Sequence, residues 1–158
     1  MLRVGLVGYG FMGGMHSQCY GAGGDATITA VVDVEPDRRK RAEQTLGCRT
    51  YADIQAMVND TDVDIIDVCT PTYLHAEHVI AAARAGKHIM CEKPMALDLE
   101  SCDAMIGEVN RSGVAMMVGQ VIRFWPEYQL IKEIVDRREY GSVRWVSARR
   151  LSAPAGWA

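Results

Sequence analysis

The chain has 158 residues, a net charge of −3, 23% charged and 49% hydrophobic residues. That is long enough for a domain with a sizeable core, in the proportions of an ordinary globular protein. The acidic balance argues against nucleic acid or an anionic membrane as partner, and no run of 18 apolar residues offers a membrane span.

The first thirteen residues join an apolar, partly β-branched run (Leu2, Val4, Leu6, Val7) to Gly8-x-Gly10-x-x-Gly13. A buried strand, a glycine turn and the start of a helix in that order form the context a dinucleotide fingerprint requires. Gly8 permits the turn, Gly10 lets a pyrophosphate approach the backbone, and Gly13 lets the helix lie close to the strand. The same run is apolar enough to suggest a signal peptide, but it lacks a cleavage pattern and is explained as strand and turn.

The first helix is expected over about Phe11–Ala22 and the second strand over about 26–33, ending in Asp33, twenty residues after Gly13. An acid at that separation accepts hydrogen bonds from the adenosine ribose of NAD. Asp33 also stands where it would cap the next helix, and the two roles are compatible. That helix opens at Glu35-Pro36-Asp37, carries Arg38-Arg-Lys-Arg41 and ends before Gly47. Most of the cation run reads as a solvated face, with Arg38 placed to lie over the adenine. A 2′-phosphate beside Asp33 would be repelled, which favours NAD over NADP; Arg38 or Arg39 would partly offset this, leaving NADP as a second option.

A short strand near Arg49–Tyr51, a helix over Asp53–Asn59 and a buried strand over Asp64–Thr70 follow. Next come a helix over Tyr73–Ala85, a strand over Lys87–Cys91, a helix from Asp98 or Leu99 to Ser112 and a strand over Val114–Val118. Strands alternating with helices predict an α/β doubly wound, mostly parallel sheet of the Rossmann kind. Ligands of such sheets bind at the carboxyl ends of the strands. The glycine turn, Asp33, Cys69-Thr70-Pro71, Glu92-Lys93-Pro94 and Gly119-Gln120 all fall there.

Lys93 follows a buried strand directly, beside Glu92 and before Pro94, which would suit a cis peptide. A lysine there could donate to a substrate oxygen; an ordinary surface lysine paired with Glu92 is the plainer alternative. His75 and His78 sit at helical spacing without further ligands, so no metal is expected, and His75 reads as a cap or a cofactor contact. Five cysteines, at 19, 48, 69, 91 and 102, with no CxxC pair, predict free thiols in a reducing cytoplasm.

Gly8-Tyr-Gly-Phe-Met-Gly13, Thr70-Pro-Thr-Tyr-Leu-His75, Ala85-Gly-Lys-His-Ile-Met-Cys-Glu-Lys-Pro94 and Gly119-Gln-Val-Ile-Arg-Phe-Trp-Pro126 together resemble the Gfo/Idh/MocA family. These are oxidoreductases of the glucose–fructose oxidoreductase and inositol dehydrogenase type, and the similarity covers essentially the whole chain. The resemblance implies an NAD(P)-dependent enzyme acting on the CH–OH group of a sugar, polyol or related small molecule, and a homo-oligomer. A non-enzymatic NAD-binding regulator of the same fold is the alternative. By position, Gly8, Gly10, Phe11, Met12 and Gly13 would hold the pyrophosphate, and Asp33 and Arg38 the adenosine. Thr70, Pro71, His75, Glu92 and Gln120 would surround the nicotinamide and its ribose, and Lys93 would bind the reacting oxygen. Thr72 departs from the asparagine often found after that proline.

Members of the family run to about twice this length, beyond the usual span of one domain. The resemblance therefore implies a dinucleotide-binding domain over 1–122. It implies a crossover helix (Phe124–Glu139) and a first strand (Ser142–Leu151) of an incomplete C-terminal substrate and oligomerisation domain over 123–158. The family supplies an Asp and a general-base His from that C-terminal part, so this chain alone is expected to be a catalytically incomplete fragment.

Overall fold

The computed structural model describes residues 1–59, 62–149 and 151. Strands and helices alternate in the predicted order: β1 (Leu2–Val7), α1 (Phe11–Gly23), β2 (Ala26–Val32), α2 (Pro36–Leu46), β3 (Arg49–Tyr51), α3 (Ile54–Val58), β4 (Ile65–Val68), α4 (His75–Arg84), β5 (His88–Cys91), α5 (Leu99–Ser112), β6 (Met116–Val118) and α6 (Pro126–Asp136). Short 3-10 turns over Thr72–Leu74 and Val121–Phe124 precede α4 and α6. The helix expected from Phe124 begins instead at Pro126, whose fixed φ suits a first helical position.

All six strands pair in parallel in the order β3-β2-β1-β4-β5-β6. The order reverses between β1 and β4, where the chain leaves the β3 edge and returns to the free side of β1. The two faces bury separate cores. Val4, Leu6, Ile28, Val31 and Ala42 pack on the face covered by α1 and α2. Val7, Ile66, Val68, Val79, Ala82, Ile89 and Met105 pack on the face covered by α3, α4 and α5. Alternate residues of a strand point to opposite faces, so Ile66 and Val68 enter the second core while Ile65 and Asp67 turn to the first. The register of β1 on β2 shifts between Val4 and Gly5, and this bulge lets Ile28 and Val31 share a face despite their odd spacing.

The chain divides into two units, Met1–Gln120 and Val121–Ala158. Among the described residues every buried hydrophobic side chain lies in the first. The strand expected over Ser142–Leu151 does not form: residues 142–149 have no regular structure, and residue 150 lies outside the described residues. A single extended segment has no neighbour within its own unit to take its N–H and C=O groups, so it gains no ladder.

Candidate cofactor and active site

Gly8 leaves β1 with φ +93°, and a Cβ there would stand 3.0 Å from the carbonyl oxygen of Cys69. It therefore lies wedged between the carboxyl ends of β1 and β4, at the point where the strand order reverses. A Cβ on Gly13 would fall 1.9 Å from the Gly8 carbonyl oxygen, so α1 approaches the turn too closely for any side chain. Gly10 precedes α1 with no side-chain cap, and the nearest atom to a Cβ there is Arg38 Nη1 at 3.9 Å. Gly10, the N-cap, thus sets no side chain over the first turn at the positive end of this 13-residue helix. A glycine turn of this kind, with no side chain over the helix start, fits a pyrophosphate.

Asp33 is 4% exposed, and its carboxylate accepts the Tyr9 N–H at 2.8 Å and the Glu35 N–H at 2.9 Å. It thus pins the glycine turn to the end of β2 and keeps further lone pairs for hydroxyl donors. Arg38 Nη1 stands 3.6 Å from Asp33 Oδ2. Arg38, Lys40 and Arg41 of the cation run are exposed and Arg39 is half-buried, as a solvated face should be, and three of them also make polar contacts. Arg39 donates to the Asp33 carbonyl at 2.7 Å, and Arg41 donates to the Tyr9 carbonyl at 2.7 Å while its guanidinium lies 4.8 Å from the Tyr9 ring centre. Three of the four cations thus brace the ends of β1 and β2 around Tyr9 and Asp33.

At the ends of β4 and β5 the loops are tied to each other. His75, 1% exposed, sets one ring nitrogen 2.8 Å from the Thr70 carbonyl and the other 2.9 Å from the Pro94 carbonyl. The ring therefore spans the gap between the two loops, with a backbone carbonyl facing each nitrogen. Thr70 Oγ1 lies 3.0 Å from His78 Nδ1, and burial pulls the His78 pKa down. Pro71 precedes the turn into α4, its carbonyl accepting the Leu74 N–H at 2.9 Å. The Lys93–Pro94 peptide is cis. Lys93 is exposed; its backbone N–H donates to Glu92 Oε2 at 3.0 Å, and Glu92 is 5% exposed. Gln120 is exposed just beyond β6; Phe11 is exposed and Met12 half-buried at the start of α1.

Sequence reasoning missed a polar cluster beneath this edge. His16 of α1 places Nδ1 2.8 Å from Asp67 Oδ2 and Nε2 3.2 Å from Glu92 Oε1. The fully buried Asp67 also accepts the Tyr20 hydroxyl at 3.0 Å and the Cys69 thiol at 3.6 Å. The hydrogen bond to Asp67 raises the His16 pKa against an opposing effect of burial, and both carboxylates add to the rise. Burial, then the Asp67 charge, pushes the Tyr20 hydroxyl and the Cys69 thiol well above their ordinary values. The Cys91 thiol is pushed up to about 12 by burial and then by Glu92. His16, Asp67 and Cys69 hold potential metal-ligand atoms within 4.8 Å of one another. The three side chains are also hydrogen-bonded to one another, His16 to Asp67 and Cys69 to both, and so form one polar network. The legible sign was Asp67 itself, an acid in an otherwise apolar buried strand, which is expensive unless paired.

A wholly parallel sheet with its glycine turn and acid on one edge, where the strand order reverses, is the arrangement of a dinucleotide-binding domain. Residues 2–120 match the family described as "Oxidoreductase family, NAD-binding Rossmann fold", GFO_IDH_MocA, and the chain belongs to it. The chain is 36% identical over 141 residues to myo-inositol 2-dehydrogenase of Thermotoga maritima, covering 89% of this chain and 42% of that protein. Its fold matches the WlbA dehydrogenase of Bordetella pertussis, solved with NADH and UDP-GlcNAcA, at TM-score 0.83 and 30% identity over 87% of this chain and 41% of that one. It also matches scyllo-inositol dehydrogenase of Lactobacillus casei with NAD(H) and scyllo-inositol bound, at TM-score 0.82 and 27% identity over 89% and 42%. The chain thus spans less than half the length of these relatives. Among the described residues no helix is long and apolar enough to cross a membrane.

Proposed function

We propose that this chain is the cofactor-binding part of an NAD-dependent dehydrogenase that oxidises a secondary alcohol of a sugar, polyol or related compound. The observation that carries it is the convergence on one sheet edge of the closely packed Gly8–Gly13 turn at the start of α1, the Asp33 carboxylate and the Glu92-Lys93-Pro94 turn. In this reading the N–H groups at Phe11, Met12 and Gly13 hold the pyrophosphate. Asp33 takes the adenosine ribose hydroxyls and Arg38 lies against the adenine. Thr70, Pro71, His75, Glu92 and Gln120 shape the nicotinamide end. Lys93 binds the reacting oxygen and lowers the barrier to removing its proton. Bound NAD supplies the hydride acceptor. The residue that takes the proton belongs to the part of the relatives this chain does not span. A cytoplasmic site of action and self-association belong to the same proposal.

The test is calorimetric titration of NAD and NADP into this chain, with Asp33→Ala and Asp33→Asn beside it. NAD should bind and NADP bind more weakly, because a 2′-phosphate would meet the Asp33 charge. Asp33→Ala removes the acceptor for Tyr9 and Glu35 as well and should abolish binding. Asp33→Asn keeps an acceptor and drops the charge, so it should narrow the preference. Tighter binding of NADP, or of neither cofactor, by the unaltered chain would overturn the reading.

A further inference from the structure

The His16 ring faces a carboxylate oxygen from each of its nitrogens, at 2.8 Å to Asp67 and 3.2 Å to Glu92. A neutral imidazole has one N–H and one lone pair, so it can satisfy only one of those contacts; the imidazolium satisfies both. The two acids stand on neighbouring parallel strands, Asp67 within β4 and Glu92 just past β5, and both are almost wholly buried. A cation placed between them would pair both buried carboxyl groups at once. The other groups facing the ring are Cys69 after β4, at 3.3 Å from Nδ1, and Tyr20 on α1, which donates to Asp67; both are neutral donors near pH 7. Glu92 has little room to move otherwise, since a Cβ on Gly119 would stand 2.9 Å from its Oε1. Its second oxygen accepts the Lys93 backbone N–H.

We propose that His16 is a positioning residue: held as an imidazolium between Asp67 and Glu92, it fixes the Glu92 carboxylate and, through it, the Lys93 backbone at the edge of the cleft. The ring is 17% exposed and lines an apolar groove of about 650 Å³ with Tyr20, Ile65, Ile89 and Met116, so protons can reach it. Loss of its proton would set a lone pair against one carboxylate and release the second hydrogen bond. The Glu92 end, at 3.2 Å, is the longer contact and the one that parts. The consequence for catalysis rests on the role given to Lys93 above; the wiring itself does not.

The experiment is NMR on the 158-residue chain, following the His16 ring nitrogens and the Lys93 backbone amide from about pH 5 to about pH 9, across the range in which histidines titrate. Both ring nitrogens should carry protons at neutral pH, with a midpoint above the ordinary 6.5, and the Lys93 amide should shift with that same midpoint. Two variants separate the contacts. The His16→Gln amide nitrogen falls where Nε2 was and should hold the Lys93 amide at its low-pH position. The His16→Asn nitrogen falls where Nδ1 was, so the Lys93 amide should sit at its high-pH position. A neutral ring at pH 7, or a Lys93 amide that stays flat while His16 titrates, overturns the proposal in the unaltered chain alone. Identical Lys93 positions in the two variants overturn it as well. The cofactor titrations use a separate signal, so failure of NAD binding with this wiring intact would sink the functional reading only.

Discussion

Gly13 and Gly14 are neighbours on α1 with opposite tolerance for a methyl group. A Cβ on Gly13 meets the Gly8 carbonyl at 1.9 Å, whereas one on Gly14 meets nothing within 4 Å. Gly13→Ala should therefore push α1 off the turn, destabilise by about 1–3 kcal/mol as overpacking does, and weaken NAD binding. Gly14→Ala should instead stabilise by about 0.5–1 kcal/mol, because alanine loses less backbone freedom in a helix. Urea unfolding and NAD titration of the pair would check both signs. The charged residues give a second test with pH. The folded His16 pKa is raised, so its stabilisation is complete below about 6.5 and is lost as pH rises through the folded value. Asp64 works in the opposite sense: the Arg3 side-chain and backbone hydrogen bonds hold its carboxyl well below the usual range. That contribution is present above about 4 and fades as pH falls further. The unfolding midpoint should drop on both sides, with His16→Asn flattening the alkaline limb and Asp64→Asn the acid limb. Asp33 and the glycines were legible in the sequence because their signal is local spacing. The pairing of His16 with Asp67 and Glu92 was not, because those partners lie 51 and 76 residues away and meet only once β4 and β5 stand side by side under α1.

At the scale of elements, apolar runs and glycine or proline breaks disclosed the buried strands and the helices between them, while β3, Arg49-Thr50-Tyr51, was legible only from its place between two helices. The last expected strand failed because its residues satisfy the local pattern without a neighbour to pair with, and pairing is a tertiary property. The helices on the far face are held by side chains remote from the cleft. Met105 of α5 is fully buried in the core shared with Val79 and Ala82 of α4. Met105→Ala should cost about 2–5 kcal/mol, the range for large-to-small changes in a packed interior. Its NAD affinity, measured well below the unfolding midpoint, should stay that of the unaltered chain. A matched loss of affinity would mean that α5 helps to set the cleft.

For the molecule as a whole, stability should reside in Met1–Gln120, which holds every buried hydrophobic residue among those described. α6 has the 3.6-residue pattern of a helix and yet buries none of its residues; Leu130 is 58% exposed and Ile131 56%. A helix of 11 residues with no burial is marginal in water. Amide hydrogen exchange of this chain should therefore show slow exchange in β1, β2, β4 and β5 and exchange close to that of an unfolded peptide across α6. Adding NAD to a hundred times its dissociation constant should raise the free energy of opening in the strands by about 2.7 kcal/mol, because the cofactor binds only the folded sheet edge. It should leave α6 unchanged. Strong protection of α6 before NAD is added would show that its apolar side chains are covered in solution, and strand protection that ignores NAD would place the cofactor's binding energy outside this sheet.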